Sequence, residues 1–296
     1  MMRSKTKIAA ACGFTLLAAA LPVCLAANPA ANPVNQGNDD YVEYQNNVDA
    51  SLADGANPGA FTVDDGKALF LKPRGPKHKD LSTCDFGLGP GVLKGAYAQL
   101  PRYFKDTGRV QGLEGRLMTC MTTIQGYPEA DIKSKFMMPE YKTSDEGDSS
   151  GSDLATLATY IAAQSNGLTF DTQINNPQME KAYHLGEYMF FHRWGEMDLN
   201  CATCHGYNDR TVRGVPLPNL LDTHTAGMVM TAFPAYVIKD GTMRTQWWRN
   251  ERCVMAMRLP WLKIDSDLDN ALTTFMRVQA SKSDVKINIP GSKARA

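Results

Sequence analysis

The 296-residue chain has no excess of charge of either sign, with 31 Lys and Arg against 31 Asp and Glu. That balance excludes a net basic field aimed at nucleic acid or an anionic membrane, so an anionic ligand must be met by local arginines. Nor is there a convincing membrane-spanning run. The apolar stretch from Ile8 to Leu21 is short, ends at Pro22, and follows Arg3, Lys5 and Lys7. With small residues at Ala26 and Ala27 it reads as a signal peptide over residues 1–26, which places the protein in the periplasm. Cysteine is scarce, at seven residues. No second ligand pair of the kind a zinc site needs is visible, and no β-α-β setting suits a redox dithiol.

What the cysteines do include is specific. In "NCATCHGYND", Cys201, Cys204 and His205 form C-x-x-C-H. Two thiols at this spacing add across the vinyl groups of a haem, and the adjacent imidazole binds the iron from one side. One covalent haem c is therefore expected, with a second axial position to be filled from elsewhere in the chain. His78, His184 and His192 read as surface or packing residues.

The remainder divides into similar halves. Residues 27–60, rich in Asn, Ala, Pro and Gly, read as an extended or loosely ordered N-terminal extension with a possible short helix near Tyr44. Helices are expected at "VDDGKALFL" and "MEKAYHLGEYMFF", each carrying a Gly and leading to a cysteine, Gly66 to Cys84 and Gly186 to Cys201. "SDLATLATYIAAQSNG" and "SDLDNALTTFMRVQA" read as amphipathic helices closing each half. This predicts an all-α chain of two cytochrome c-like domains in tandem, residues 61–170 and 171–283, with a tail over 284–296. The first half has "CDFGLG" at the corresponding place, read here as Cys84 retained with the second thiol and the histidine missing, so that domain is degenerate and holds no haem.

Cys12 and Cys24 leave with the leader and Cys201 and Cys204 go to haem, so Cys84, Cys120 and Cys253 remain. In an oxidising compartment the simplest pairing is Cys84 with Cys120, with free thiols or another pairing as alternatives. Cys253 is then odd, within "QWWRNERCVMAMRLPW" and flanked by Arg249, Arg252 and Arg258. A cationic setting lowers a thiol's pKa, and arginines bind sulfo or carboxylate oxygens bidentately. The same arginines and tryptophans would also suit haem propionates and the porphyrin face. Cys253, 48 residues after His205, competes as axial ligand with Met255, Met257, Met228, Met230 and His224, and spacing does not choose among them.

Several segments occurring in order, "CDFGLGPGVLKGAYAQLPRYFKDTGRV", "LEGRLMTCMTTIQG", "LATYIAAQSNG", "GEYMFFHRWGEMDLNCATCHG", "FPAY" and the Arg-x-x-x-Cys of Arg249 to Cys253, resemble the SoxA subunits of the SoxAX cytochromes. The resemblance covers roughly residues 61–280. It implies two fused cytochrome c domains, a small monohaem partner SoxX, and L-cysteine S-thiosulfotransferase activity. In that reaction thiosulfate is joined oxidatively to a cysteine of the carrier SoxYZ, and electrons pass to an acceptor cytochrome c. It further implies His205 as proximal ligand, Cys253 as distal ligand and catalytic sulfur carried as a persulfide, and Arg249 as a substrate-binding residue. The absence of a motif at Cys84 is similar to members with one haem in SoxA, where a disulfide replaces the first centre and Cys120 matches the ligand of the missing haem. The "VMAM" that follows Cys253 departs from the more polar residues usual in relatives. The competing expectation is a periplasmic monohaem electron carrier with methionine on the iron.

Overall fold

Six helices begin where a short polar side chain accepts a hydrogen bond from the first turn: Ser152, Asn176, Asn200, Asp222, Thr245 and Ser266 each take an N–H two or three positions into the helix that follows. The structure, a computed structural model, describes residues 33–52, 57–133 and 152–294. The expected signal peptide, the start of the N-terminal extension and the end of the tail lie outside the described residues. The elements run α1 (Pro33–Ser51), α2 (Gly59–Leu71), β1 (Arg102–Phe104), β2 (Arg109–Gln111), α3 (Leu113–Cys120), α4 (Glu129–Asp131), α5 (Asp153–Ala163) and α6 (Pro177–Phe191). They continue with α7 (Cys201–His205), β3 (Thr211–Val212), β4 (Val215–Pro216), α8 (Thr223–Met230), β5 (Ala235–Val237), β6 (Thr242–Arg244), α9 (Gln246–Ala256), α10 (Asp267–Ala280) and β7 (Gly291–Lys293). Helices dominate. Three small sheets, which the all-α expectation did not include, join β1 to β2, β3 to β4, and β6 to β5 to β7 among the described residues. None of the described helices is long and apolar enough to cross a membrane.

Two helix crossings organise the core, and each needs a glycine. A β-carbon on Gly66 of α2 would run into the Thr156 carbonyl of α5, and one on Gly186 of α6 into the Ala271 carbonyl of α10. Close approach then lets the aromatic residues after each glycine interlock: Phe70 packs on Tyr160, and Phe190 on Phe275. One apolar cluster runs through both halves, from Phe70, Leu81 and Leu117 to Phe190, Met276 and Ile289.

The correspondence between the halves extends beyond the crossings and corrects the register read from the sequence. The isolated bridges Arg74↔Lys79 and Trp194↔Leu199, the left-handed Gly75 and Gly195, and the left-handed His78 and Asp198 each recur 120 residues apart. In that register Cys84 stands where Cys204 does, Leu81 replaces Cys201, and Asp85 replaces His205. Cys84 therefore corresponds to the second thiol of the motif, not to the first. Further along, the offset is 133 residues: the β1–β2 ribbon matches β5–β6, α3 matches the start of α9, and Arg116 and Cys120 match Arg249 and Cys253. A disulfide joins Cys84 to Cys120, Cα atoms 5.7 Å apart, both sulfurs buried in the core.

The extension differs from the loose lead-in read from its composition. α1 is a 19-residue helix whose Tyr41, Gln45 and Val48 recur at helical spacing and are buried. Its seat is β7, where Gln45 Nε2 donates to the Ser292 carbonyl at 3.0 Å and Ser292 Oγ donates to Asp49. Tertiary contact outweighs a composition poor in helix formers.

Between the halves lie a buried acid, Asp269, and a partly buried one, Glu114. Asp269 accepts the Asp265 N–H through Oδ2 at 3.0 Å, while its Oδ1 is buried with no hydrogen-bond partner. Burial, reinforced by the neighbouring Glu114, pushes the Asp269 carboxyl well above its ordinary range. Because the folded state holds this proton more tightly than the unfolded chain, the contribution to stability is fullest below about pH 4 and is lost as pH rises towards the folded pKa. Asp269→Asn removes the ionisation, so denaturant melts from pH 4 to 8 are expected to show a shallower decline, with a gain of about 1 kcal/mol at neutral pH.

Candidate functional site

The site is built from α7, α9 and the chain between them. α7 is short, and its start is held by a reciprocal cap: Thr203 N–H donates to Asn200 Oδ1 at 2.7 Å and Asn200 N–H to Thr203 Oγ1 at 3.3 Å. Asn200 Nδ2 also donates to the Phe191 carbonyl at 2.5 Å, tying the motif to the end of α6. Spacing of three along this turn puts Cys201 and Cys204 on one face. His205 Nδ1 lies 2.9 Å from the Pro218 carbonyl. A carbonyl only accepts, so Nδ1 carries the hydrogen and Nε2 presents its lone pair, the arrangement that orients a metal-ligating imidazole.

α9 supplies the opposite wall. It is strongly two-faced, burying Gln246, Trp248, Glu251 and Val254. Arg249 and Cys253, four residues apart, share the face that looks into a cavity which Cys201 and His205 also line. The Cys253 sulfur lies beside the His205 ring, which lines the same cavity. Burial alone would push its thiol up, but the Arg249 charge and the His205 contacts outweigh that and bring it down to about 7. The other two free thiols behave oppositely: burial pushes Cys201 up to about 12 and raises Cys204. Among the described residues, only Cys253 is disposed to be a thiolate near neutrality.

The first half shows what frees Arg249. Its counterpart Arg116 is consumed, donating to the Asp85 carbonyl at 2.5 Å and pairing with Asp106 at 2.6 Å. The position equivalent to Asp106 in the second half is Lys239, so that acid is absent, and no carboxylate lies within ion-pair distance of Arg249 among the described residues. The other flanking arginines point elsewhere. Arg252 lies over the Trp248 ring, 5.8 Å from its centroid, and Arg258 faces Glu196 at 3.8 Å on the exposed surface, a pair of little energetic weight.

The residues present fit a haem. The cavity is walled by apolar side chains such as Phe190, Leu220, Phe233 and Met276. Three buried donors on its α9 side, Gln246 Nε2, Trp248 Nε1 and Asn250 Nδ2, have no partner, and carboxylates on the rim of a porphyrin would satisfy them. Cys201 and His205 line one edge, with Cys204 on the same short helix outside the lining, and the three would supply attachment and one axial ligand. Among the proposed competitors for the other ligand, Met257 and Met230 line the cavity with Cys253, whereas Met228, Met255 and His224 do not. Sequence reasoning missed the far wall, formed by Tyr41, Tyr44 and Gln45 of α1 and by Lys293. Only the helical spacing of Tyr41, Gln45 and Val48 could have hinted at it.

Comparison with known proteins agrees with this geometry. The family profile described as SoxA/TsdA, cytochrome c domain, matches residues 65–170, the half without C-x-x-C-H. The L-cysteine S-thiosulfotransferase subunit SoxA of Hydrogenophilus thermoluteolus is 36% identical over 266 residues, 88% of this chain and 93% of that protein. A SoxA subunit from Hydrogenobacter thermophilus is 29% identical over 69% of this chain and 71% of its own. The crystal structure of SoxXA from P. pantotrophus superposes with a TM-score of 0.63 at 22% identity, covering 84% of this chain and 83% of the other. With more than a third of the aligned residues identical along nearly the whole of a relative, this chain belongs to the SoxA family, subunits of L-cysteine S-thiosulfotransferase.

Proposed function

We propose that the second half of this chain is a haem c domain whose Cys253 joins thiosulfate to a cysteine of a SoxYZ carrier, and that the first half is its haem-free, degenerate copy. The observation that carries this reading is one cavity holding Cys253, Arg249 and His205, in which Cys253, alone of the free thiols among the described residues, is drawn towards thiolate. Arg249, with no acid to neutralise it, binds the sulfo end and presents the outer sulfur to Cys253. Bonding that sulfur to the sulfur carried by Cys253, in the persulfide form that the family implies, forms one S–S bond and releases two electrons. The carrier's thiolate then attacks the thiosulfate-derived outer sulfur, taking the sulfur with its sulfo group and returning the Cys253 sulfur as an anion. One haem c, held by Cys201 and Cys204 with His205 on the iron, supplies one-electron acceptance when bound. A second centre is therefore needed. A monohaem SoxX partner supplies it, in keeping with the SoxXA complex of P. pantotrophus, and a periplasmic acceptor cytochrome c follows.

The alternative electron-carrier reading has one favourable observation, since Met257 and Met230 also line the cavity. Mass spectrometry of the purified, non-reduced protein separates the two. The expected result is one haem on Cys201 and Cys204, a Cys84–Cys120 bridge, and an extra sulfur on the peptide carrying Cys253. An unmodified Cys253, with methionine ligation in the near-infrared spectrum, would favour the carrier.

A further inference from the structure

We propose that Lys293 is a second substrate-binding cation of this site, acting with Arg249 to clamp the sulfo group of thiosulfate; this rests on the reading of the site given above. Lys293 ends β7, which runs parallel to β5 with Lys293 opposite Val237, and so projects from a different part of the chain into the cavity that Arg249 and Cys253 line. Its ammonium is positioned by α1: Nζ donates to Gln45 Oε1 at 2.9 Å and lies 3.4 Å from the Tyr41 hydroxyl. The Phe233 ring lies beneath, 5.9 Å from Nζ to its centroid.

The arrangement is electrically incomplete. No carboxylate is within ion-pair distance of Lys293 or of Arg249 among the described residues. Asp49, an exposed acid that does not line the cavity, is engaged by Gln45 Nε2 at 2.8 Å and by Ser292 Oγ, both neutral donors. Burial and the repulsion of Arg249 bring the Lys293 ammonium down to about 8, with Asp49 acting the other way. Two cations facing a common low-dielectric space without an anion between them oppose folding, and a small dianion placed between them reverses the sign. Thiosulfate has that charge, and contacts from opposite walls would fix the direction in which its outer sulfur points, which a single arginine does not. Haem carboxylates have other donors available in Gln246, Trp248 and Asn250.

The test uses the full chain with its haem, assembled with partner and carrier, as wild type, Lys293→Gln and Lys293→Arg. Lys293→Gln keeps a polar side chain able to meet Gln45, and Lys293→Arg restores the charge if the glutamine variant is compromised in folding. The expected result is a KM for thiosulfate raised about tenfold or more in Lys293→Gln. The fall in kcat should be much smaller, with haem content and haem midpoint potential as in wild type and most of the KM recovered in Lys293→Arg. An unchanged KM overturns the inference. So does a shifted midpoint potential or reduced haem content at unchanged KM, which would make Lys293 a propionate contact. If the wild-type assembly does not turn over thiosulfate, it is the proposed function that fails, and this inference with it.

Discussion

Cys253→Ala abolishes carrier-dependent thiosulfate coupling, by at least about 10³-fold in kcat/KM, while leaving the covalent haem in place. The size follows from the proposed role: removing the residue that carries the reacting sulfur would remove the path itself rather than a portion of its stabilisation. The survival of the haem follows from the separation of tasks in the proposed site, where attachment falls to Cys201 and Cys204 on α7 and the sulfur in question is on α9. The His205 ring stays oriented through the Pro218 carbonyl whether or not Cys253 is present. Steady-state coupling assays and a pyridine haemochrome spectrum on the same preparation check both halves of the statement. Normal turnover in Cys253→Ala would falsify the covalent mechanism and send attention to Met257 and Met230.

The double substitution Cys84→Ser with Cys120→Ser is expected to destabilise the protein by roughly 3–4 kcal/mol through the loss of a 36-residue cross-link, equivalent to about 10 °C in melting temperature. Two effects act in the same direction. The unfolded chain regains the freedom of the loop, and two hydroxyls enter a core where Cys84 is 0% and Cys120 3% exposed. Calorimetry under non-reducing conditions measures it. The haem spectrum near room temperature should change little, since the bridge lies in the half that carries no attachment motif. A loss below about 1 kcal/mol would show that the reduced half packs well enough unaided.

Much of the site was readable along the chain because its chemistry is local. C-x-x-C-H spans five residues, and Arg249 and Cys253 sit one helical turn apart, so both announce themselves without knowledge of the fold. The long helices were readable for the same reason, each beginning at a Ser or Asn cap and carrying a recurring apolar face. Where the chain misled, the deciding contacts were distant. Cys84 was matched to the wrong thiol because "LSTCD" and "CATCH" share only Thr and Cys, and the backbone turns at Gly75 and Gly195 that settle the register are invisible in composition. α1 looked like a loose lead-in because its helicity depends on β7. Lys293 sits in "GSKARA", which carries no pattern at all, and becomes part of a site only through α1 and β5.

That far wall also sets an order of events. Gln45 and Ser292 are separated by 247 residues, so their bond closes one of the longest loops available to the chain. Such contacts form late, after the local helices and the two crossings, because the loop entropy must first be met. A chain synthesised from its N-terminus has α1 and the C-x-x-C-H turn long before residues 291–293 exist. Until β7 docks beside β5, the face of the cavity opposite α9 stays open, leaving Cys201, Cys204 and His205 reachable from solvent. Closure of the wall that carries Lys293 is thus expected to be a final step of assembly, and α1 is the segment that hydrogen exchange should find opening first.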